Sequence, residues 1–417
     1  MNNDSIFFKI KEKGIKGIAK SIYMRTYYML CALIPSMHGS TARTIWKLFQ
    51  LLPINKKLIL FESEPDFCDN SWALYQYLLK ERPNYHFVWI VQNPHNYKGT
   101  NNNQTSYVSR FGQGMHLKTI FYYATARFNF YTHWTFRPYI PRKGQTVINL
   151  WHGTGVKDTK IKSKDYFDWL LTTGEAGIIP LSTCLGTSVS KTLPLGYPRN
   201  DILLNNVSSG KDNPFCPKGE HIKKIILWLP TFRTSINEAI SEKECDTVTG
   251  FPLLDTQKDL VAFNEILKEK NVVVIAKIHH LQAEKPVFQH KFSNFIILTD
   301  KLLSEKGYQL YHVVGKSDAL LTDYSSIMVD YLLVNKPMGF ILDDLEKYEK
   351  SRGLLFNDVR KVMMGDHIFT KEHLYNFVDK VVEEIDEYKA LREAQVLRVH
   401  NAADGTACKN IVDYFGI

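Results

Sequence analysis

The sequence predicts an α/β chain built on two parallel sheets, each wound with helices on both faces, that face each other across a cleft. Short apolar runs alternate with stretches long enough for helices, the pattern of repeated βα units. The runs fall into two series separated by a polar linker. The length of 417 residues is too great for one ordinary core and suits two α/β domains. With 44% hydrophobic and 23% charged residues and no low-complexity run, the composition is globular.

In the first series, KKLILFES (56–63), YHFVWIVQ (85–92), RFNFYTH (127–133), QTVINLWHG (145–153) and DWLLTT (168–173) read as short buried strands, and NSWALYQYLLKERP (70–83) is the clearest connecting helix. In the second, KKIILWLPTFR (223–233), NVVVIAKIHH (271–280), NFIILTD (294–300), SDALLTD (317–323) and KPMGFIL (336–342) read the same way. The linker LLNNVSSGKDNPFCPKGEH (203–221) is the natural boundary, which predicts domains at 58–204 and 205–417. The long pattern from Lys371 to Val399 reads as one closing helix.

Residues 1–57 form a separate basic segment. They carry ten lysines and arginines against Asp4 and Glu12, a net +8 that accounts for most of the whole chain's +9. The lysines alternate with Ile6, Phe7, Phe8, Ile10, Ile15 and Ile18, and the apolar stretch that follows is interrupted by Arg25 and ended by Pro35, too short for a span of about 20 residues. There is no small-residue cleavage site of the signal-peptide kind. One reading is a basic amphipathic surface on the anionic cytoplasmic leaflet, a peripheral location at the cell membrane. A helical arm packed on the protein body is another, and nucleic-acid binding a third; nucleic acid is not expected as a partner. The six cysteines contain no C-x-x-C pair, so neither a zinc site nor a disulfide framework is indicated and a reducing setting fits.

The polar motifs sit at the ends of predicted strands, which is where ligands bind in such sheets. His152 and Gly153 follow VINLW, Arg233 follows LWLPTF, and His279 and His280 follow VVVIAKI. In LLTDYSSIMVDYLL (320–333) a strand passes through Thr322, Asp323, Ser325 and Ser326 into a helical pattern of Ile327, Tyr331 and Val334. Ser325 or Ser326 is then the expected N-cap, its hydroxyl accepting a backbone N–H. The same seam is a place for a phosphate. A lone histidine is more often an interior residue than a catalyst. Bases, hydroxyls and an arginine repeated at strand ends suit an anionic substrate and proton transfer.

The segments NLWHGTGVKDTK, LGYPRND, LWLPTFR, AKIHH and SDALLTDYSSIMVDYLLVNKPMGFILDDLEKYEKSRGLLF together resemble the CDP-glycerol glycerophosphotransferase family, from about residue 145 to the tail DGTACKNIVDYF (404–415) and more weakly in the first domain. The resemblance implies a GT-B-like, Rossmann-type arrangement in which the second domain binds CDP-glycerol, the first presents a lipid-linked or polymeric acceptor, and no tightly bound cofactor is used; no metal ligands are assigned, and a metal requirement is left open. It implies that His152 of W-H-G-T is the general base on the acceptor side. Arg233 and His279, the second catalytic candidate, would contact the donor pyrophosphate. Gly153, Thr154, Thr322, Asp323, Ser325 and Ser326 would complete substrate binding, the last three around the donor's phosphates and glycerol. His280 departs from the family's usual residue and leaves open which histidine of the pair faces the cleft. The absence of a large N-terminal extension counts against long-polymer synthesis.

The residue types agree with that chemistry. A neutral imidazole with a pKa near 6.5 accepts a hydroxyl proton near neutral pH, and Arg233 offers a bidentate fork that lysine lacks. The expected reaction is transfer of glycerol phosphate to a hydroxyl with release of CMP. A CDP-ribitol transferase, a sugar-nucleotide glycosyltransferase or epimerase of the same fold, and a non-catalytic scaffold remain as other readings, and a homo-oligomer is open.

Overall fold

A computed structural model describes residues 43–97, 103–110, 117–137, 139–153, 155–158, 165–217, 221–231, 249–277 and 291–417. Among the described residues the first sheet contains seven strands: β1 (Asn55–Glu62), β2 (His86–Val91), β3 (Thr105–Ser109), β4 (Ala126–Tyr131), β5 (Thr146–Asn149), β6 (Trp169–Leu171) and β7 (Thr192–Leu193). The second contains six: β8 (Lys224–Leu229), β9 (Val272–Lys277), β10 (Phe295–Leu298), β11 (Ala319–Thr322), β12 (Met338–Ile341) and β13 (Asp366–Ile368). Their orders are β3-β2-β1-β4-β5-β6-β7 and β10-β9-β8-β11-β12-β13. Both carry the 3-2-1-4-5-6 arrangement of dinucleotide-binding folds, with the order reversing between β1 and β4 and between β8 and β11. The second sheet is parallel throughout, with Ile226 opposite both Val274 and Ala319. The expected α/β class with two parallel sheets is therefore the one observed.

The reason lies in how the strands bury their side chains. Along β8, Ile225, Leu227 and Leu229 join one apolar cluster with Val273, Ile275 and Phe340, while Ile226 and Trp228 join another with Val274, Phe251 and Phe295. Successive side chains point to opposite faces, so a strand covered on both reads as a continuous apolar run rather than an alternation. The helix Asp69–Glu81 lies where it was expected.

The chain packs as two compact units. Of the described residues, one takes in those up to Glu62 with those of Arg82–Asn129 and Phe136–Val147; the other takes in those of Ser63–Glu81, Phe130–Thr135 and Ile148–Ile417. The core of the first gathers Trp46, Leu58, Leu60, Val88, Ile90 and Tyr123.

Two local expectations are corrected. The closing helix is broken into Lys371–Glu383 and Lys389–Val399, because Glu384 takes a left-handed conformation (φ +61°) and Ile385 N–H returns to the Lys380 carbonyl at 2.9 Å. The turn lets Asp386 pair with Arg392, which is fully buried and also reaches Asn335 at 3.2 Å. No glycine or proline announces this break, since a buried ion pair made in the tertiary fold decides it. The helix after β11 spans only Ile327–Tyr331, so Val334 lies beyond it. Its N-cap is Ser326, but the residue has helical torsions (φ −65°, ψ −12°) and its side chain accepts no cap hydrogen bond. The extended torsions that aim a capping hydroxyl at the helix are missing.

Candidate functional site

The site is built where the second sheet reverses its strand order. Thr322 is buried at the end of β11 and donates its hydroxyl to the Leu229 carbonyl of β8 at 2.7 Å. Asp323, also buried, accepts the Thr231 N–H at 2.8 Å and the Thr231 hydroxyl. Together they sew the ends of β8 and β11 at the point where a crevice would otherwise open. Tyr324 is fixed by a hydrogen bond to Asp344 at 2.9 Å and by stacking on Tyr348 at 3.9 Å. Ser325 and Ser326 are left half-buried beside a pocket of about 160 Å³.

The opposite wall of that pocket is the turn after β5. Trp151 adopts φ +56°, a left-handed conformation that costs a bulky residue about 1–3 kcal/mol. The turn is held there by hydrogen bonds to its four carbonyls from Leu150 to Gly153 and to the Trp151 N–H. Asn70 Nδ2 donates to the carbonyls of Leu150 (3.4 Å) and Trp151 (2.8 Å), and Arg199 Nη1 to that of His152 (2.8 Å). The Trp151 indole reaches the Gly153 carbonyl (2.7 Å), and Asn149 accepts the Trp151 N–H (2.8 Å). At about 0.5–1.5 kcal/mol net apiece, such bonds together outweigh the strain. Gly153 follows at φ +143°, and a Cβ there would lie 2.1 Å from Ser326 Oγ and 2.8 Å from Ser326 Cβ. Only glycine permits this approach of turn and seam.

His152, Gly153, Gly155, Lys157, Ser325 and Ser326 line the pocket. Lys157 is held by a β-bridge to Leu354, flanked by Leu355 N–H on the Val156 carbonyl (2.8 Å), and its ammonium donates to Thr231 Oγ1 at 3.2 Å. Lys157 therefore shares the pocket lining with the two serines.

His152 is packed between Trp151 (ring centroids 4.2 Å apart) and His133 (4.9 Å, near-parallel). Its Nδ1 is buried and has no hydrogen-bond partner among the described residues, and the ring interacts with the Thr132 backbone. Burial above all, then the neighbouring His133 and Arg199, holds its pKa well below the usual histidine value. The ring is therefore neutral near pH 7. Burial likewise lowers His133 and His400. Free imidazole titrates near 6.5 and these titrate lower when folded, so on acidification the unfolded chain takes up more protons. Stability is expected to be full above pH 6.5 and to fall as the pH drops through that value. Thermal melts between pH 8 and 5.5 check this; a melting temperature that rises toward pH 5.5 contradicts it.

Of the residues expected from sequence, His152, Gly153, Ser325 and Ser326 come together around one pocket, and Thr322 and Asp323 brace the strands beneath it. Thr154, Arg233, His279 and His280 lie outside the described residues. Sequence reasoning did not single out Lys157, His133, Asn70 or Arg199. Lys157 and Arg199 stand inside the quoted motifs WHGTGVKD and LGYPRND, and His133 closes an expected strand. Asn70, at the start of a helix, carries no such signal.

Two parallel sheets in Rossmann order, with histidine, hydroxyl and cationic side chains gathered at a strand-order switch, form an α/β fold with a candidate catalytic site. The chain belongs to the CDP-glycerol:poly(glycerophosphate) glycerophosphotransferase family, whose profile matches residues 44–415, and so to a family of transferases. It is 26% identical over 403 residues to the teichoic acid glycerol-phosphate transferase of Staphylococcus aureus, covering 88% of this chain and 95% of that protein. It is 25% identical over 341 residues to the teichoic acid poly(glycerol phosphate) polymerase of Staphylococcus epidermidis, covering 73% of this chain and 43% of that longer protein. The wall teichoic acid polymerase TagF shares the fold, with a TM-score of 0.69 at 22% identity over 94% of this chain and 97% of that one.

Proposed function

We propose that the protein transfers glycerol phosphate from CDP-glycerol to a hydroxyl of a membrane-associated glycan or polyol-phosphate acceptor, with His152 as the general base. The observation that carries this reading is the neutral Nδ1 of His152, unpartnered among the described residues, in a residue that shares a pocket with Ser325, Ser326 and Lys157. The acceptor hydroxyl gives its proton to the imidazole while its oxygen attacks the glycerol-bearing phosphorus. The phosphoanhydride bond breaks and CMP leaves with the electron pair. Little covalent chemistry is asked of the protein; positioning and neutralisation of phosphate charge lower the barrier.

Lys157 and the two serine hydroxyls supply a cation and donors for the transferred phosphate. Asp323 serves by bracing Thr231, since its carboxylate is already engaged. A pocket of about 160 Å³ suits a glycerol phosphate better than a whole nucleotide. Arg233, His279 and Thr154 complete the proposed donor site, and the domains 58–204 and 205–417 would divide acceptor from donor. The basic segment 1–57 supports a peripheral position at the cytoplasmic membrane face, although residues 1–42 lie outside the described residues. Among the described residues no helix is long and apolar enough to cross a membrane.

Calorimetric titration with CDP-glycerol tests the donor site. Lys157→Gln, Ser325→Ala and Arg233→Lys are each expected to weaken binding, by roughly tenfold or more where a charge-assisted bond is lost. Unchanged affinity in all three folded variants would return the seam to a purely structural role.

A further inference from the structure

We infer that Arg199 is a positioning residue that sets the His152 turn against the seam of Ser325 and Ser326. This rests on the reading of His152 as the base. Arg199 opens the helix Pro198–Asn205 and is buried, with 4% of its surface exposed. Its Nη1 donates to both oxygens of Asp69 (3.0 Å each) and to the His152 carbonyl (2.8 Å). Its Nη2 donates to Asp330 at 2.6 Å. Asp330 lies on the short helix whose N-cap is Ser326, and is steadied there by Tyr311 (2.5 Å) and Asn200 (3.1 Å). One guanidinium thus bonds to the backbone of the base and to the helix that follows the serines.

The third contact is steric. A Cβ on Gly153 would lie 3.3 Å from Arg199 Nη2 and 2.1 Å from Ser326 Oγ, so the guanidinium and the seam both close on the space a side chain there would need. Through its backbone N–H, Arg199 also donates to Asn70 Oδ1 at 3.1 Å, and Asn70 in turn grips the Trp151 carbonyl. A planar fork with donors in fixed directions makes such a multiple connection, and a lysine ammonium on a flexible stem does not.

The plain alternative is an ion pair kept for stability. Buried ion pairs are weak contributors to stability, because desolvation offsets their attraction, and an apolar replacement of equal volume is often neutral. What the Asp69–Arg199–Asp330 arrangement supplies instead is one geometry for the turn. A displacement of about 1 Å at a reacting group costs on the order of 100-fold in rate.

Arg199→Lys and Asp69→Asn separate the two views. Asp69 is the milder site, since its side chain retains 18% exposure and asparagine keeps its shape; it carries the test if Arg199→Lys does not fold. CMP release at saturating CDP-glycerol and acceptor, CDP-glycerol affinity and melting temperature are measured together. The expected result is a kcat about 10- to 100-fold lower in Arg199→Lys and about threefold or more lower in Asp69→Asn, with donor affinity changed less than threefold. A lower melting temperature with wild-type kcat in the folded variants overturns the inference. His152→Ala is assayed alongside: if it keeps wild-type turnover, the base assignment fails and this inference with it, whereas an inactive His152→Ala beside fully active Arg199→Lys and Asp69→Asn removes the positioning role alone.

Discussion

His152→Ala should lower CMP release by about 10²- to 10⁴-fold, the range that a general base contributes, while CDP-glycerol still binds. Among the described residues the imidazole makes few polar contacts that its removal would orphan, because Nδ1 has no partner there and the ring's interaction is with the Thr132 backbone. The carbonyl of residue 152 stays bonded to Arg199 through the backbone. What alanine loses is packing against Trp151 and His133, which lowers the melting temperature but leaves the turn in place. If the histidine were only a packing residue, the melt would shift and turnover in the folded fraction would not. Near-normal CMP release from a folded His152→Ala enzyme takes the residue out of the mechanism.

The second large effect is expected of Gly153→Ala, one added methyl. Its Cβ would fall 2.1 Å from Ser326 Oγ and 2.8 Å from Ser326 Cβ. The φ of +143° is one that residues with a side chain scarcely adopt. Rotating the serine relieves only the first contact, so either the turn or the helix Ile327–Tyr331 must move. Strain of about 1–3 kcal/mol is the expected loss of stability, and a shift approaching 1 Å between base and seam should cut turnover by about 100-fold or more. Gly155→Ala is the internal comparison. Its Cβ would meet Ser326 Cα at 3.1 Å and its φ lies outside the left-handed range, so a small adjustment accommodates it. Melting curves and CMP release for the pair check this, and wild-type activity in Gly153→Ala would show that the turn does not fix the seam.

The difference between what was legible in the sequence and what was not follows from the range of the interactions. Each of the ten strands read from apolar runs is present, because a strand buried on both faces announces itself without its neighbours. Strands β3, β7 and β13 were missed. TSYVS, TL and DHI are short and polar, and β3 and β7 close the ends of the first sheet and β13 one end of the second, where little apolar surface is needed. The gathering of His152 and Gly153 with Ser325 and Ser326 was anticipated from their placement at strand ends. Their supports were not: Arg199 lies 130 residues from Asp69 and 131 from Asp330, and no local pattern joins them. The capping expectation at Ser326 failed for a related reason, since close packing of Gly153 and Gly155 on that serine decides its conformation.

The most direct test of a transfer centre at this pocket is acceptor-dependent nucleotide release by the 417-residue chain, read as CMP from CDP-glycerol or CDP-ribitol and as UDP from a UDP-sugar, with a polyol-phosphate acceptor displayed on anionic or neutral vesicles at low and high salt. Release is expected from CDP-glycerol, dependent on acceptor and abolished by His152→Ala. It should be faster on anionic vesicles at low salt, where the +8 of residues 1–57 is least screened. No acceptor-dependent release from CDP-glycerol, with release from CDP-ribitol or the UDP-sugar instead, would contradict the assigned donor, and equal rates on both vesicle types at either salt would contradict the membrane position.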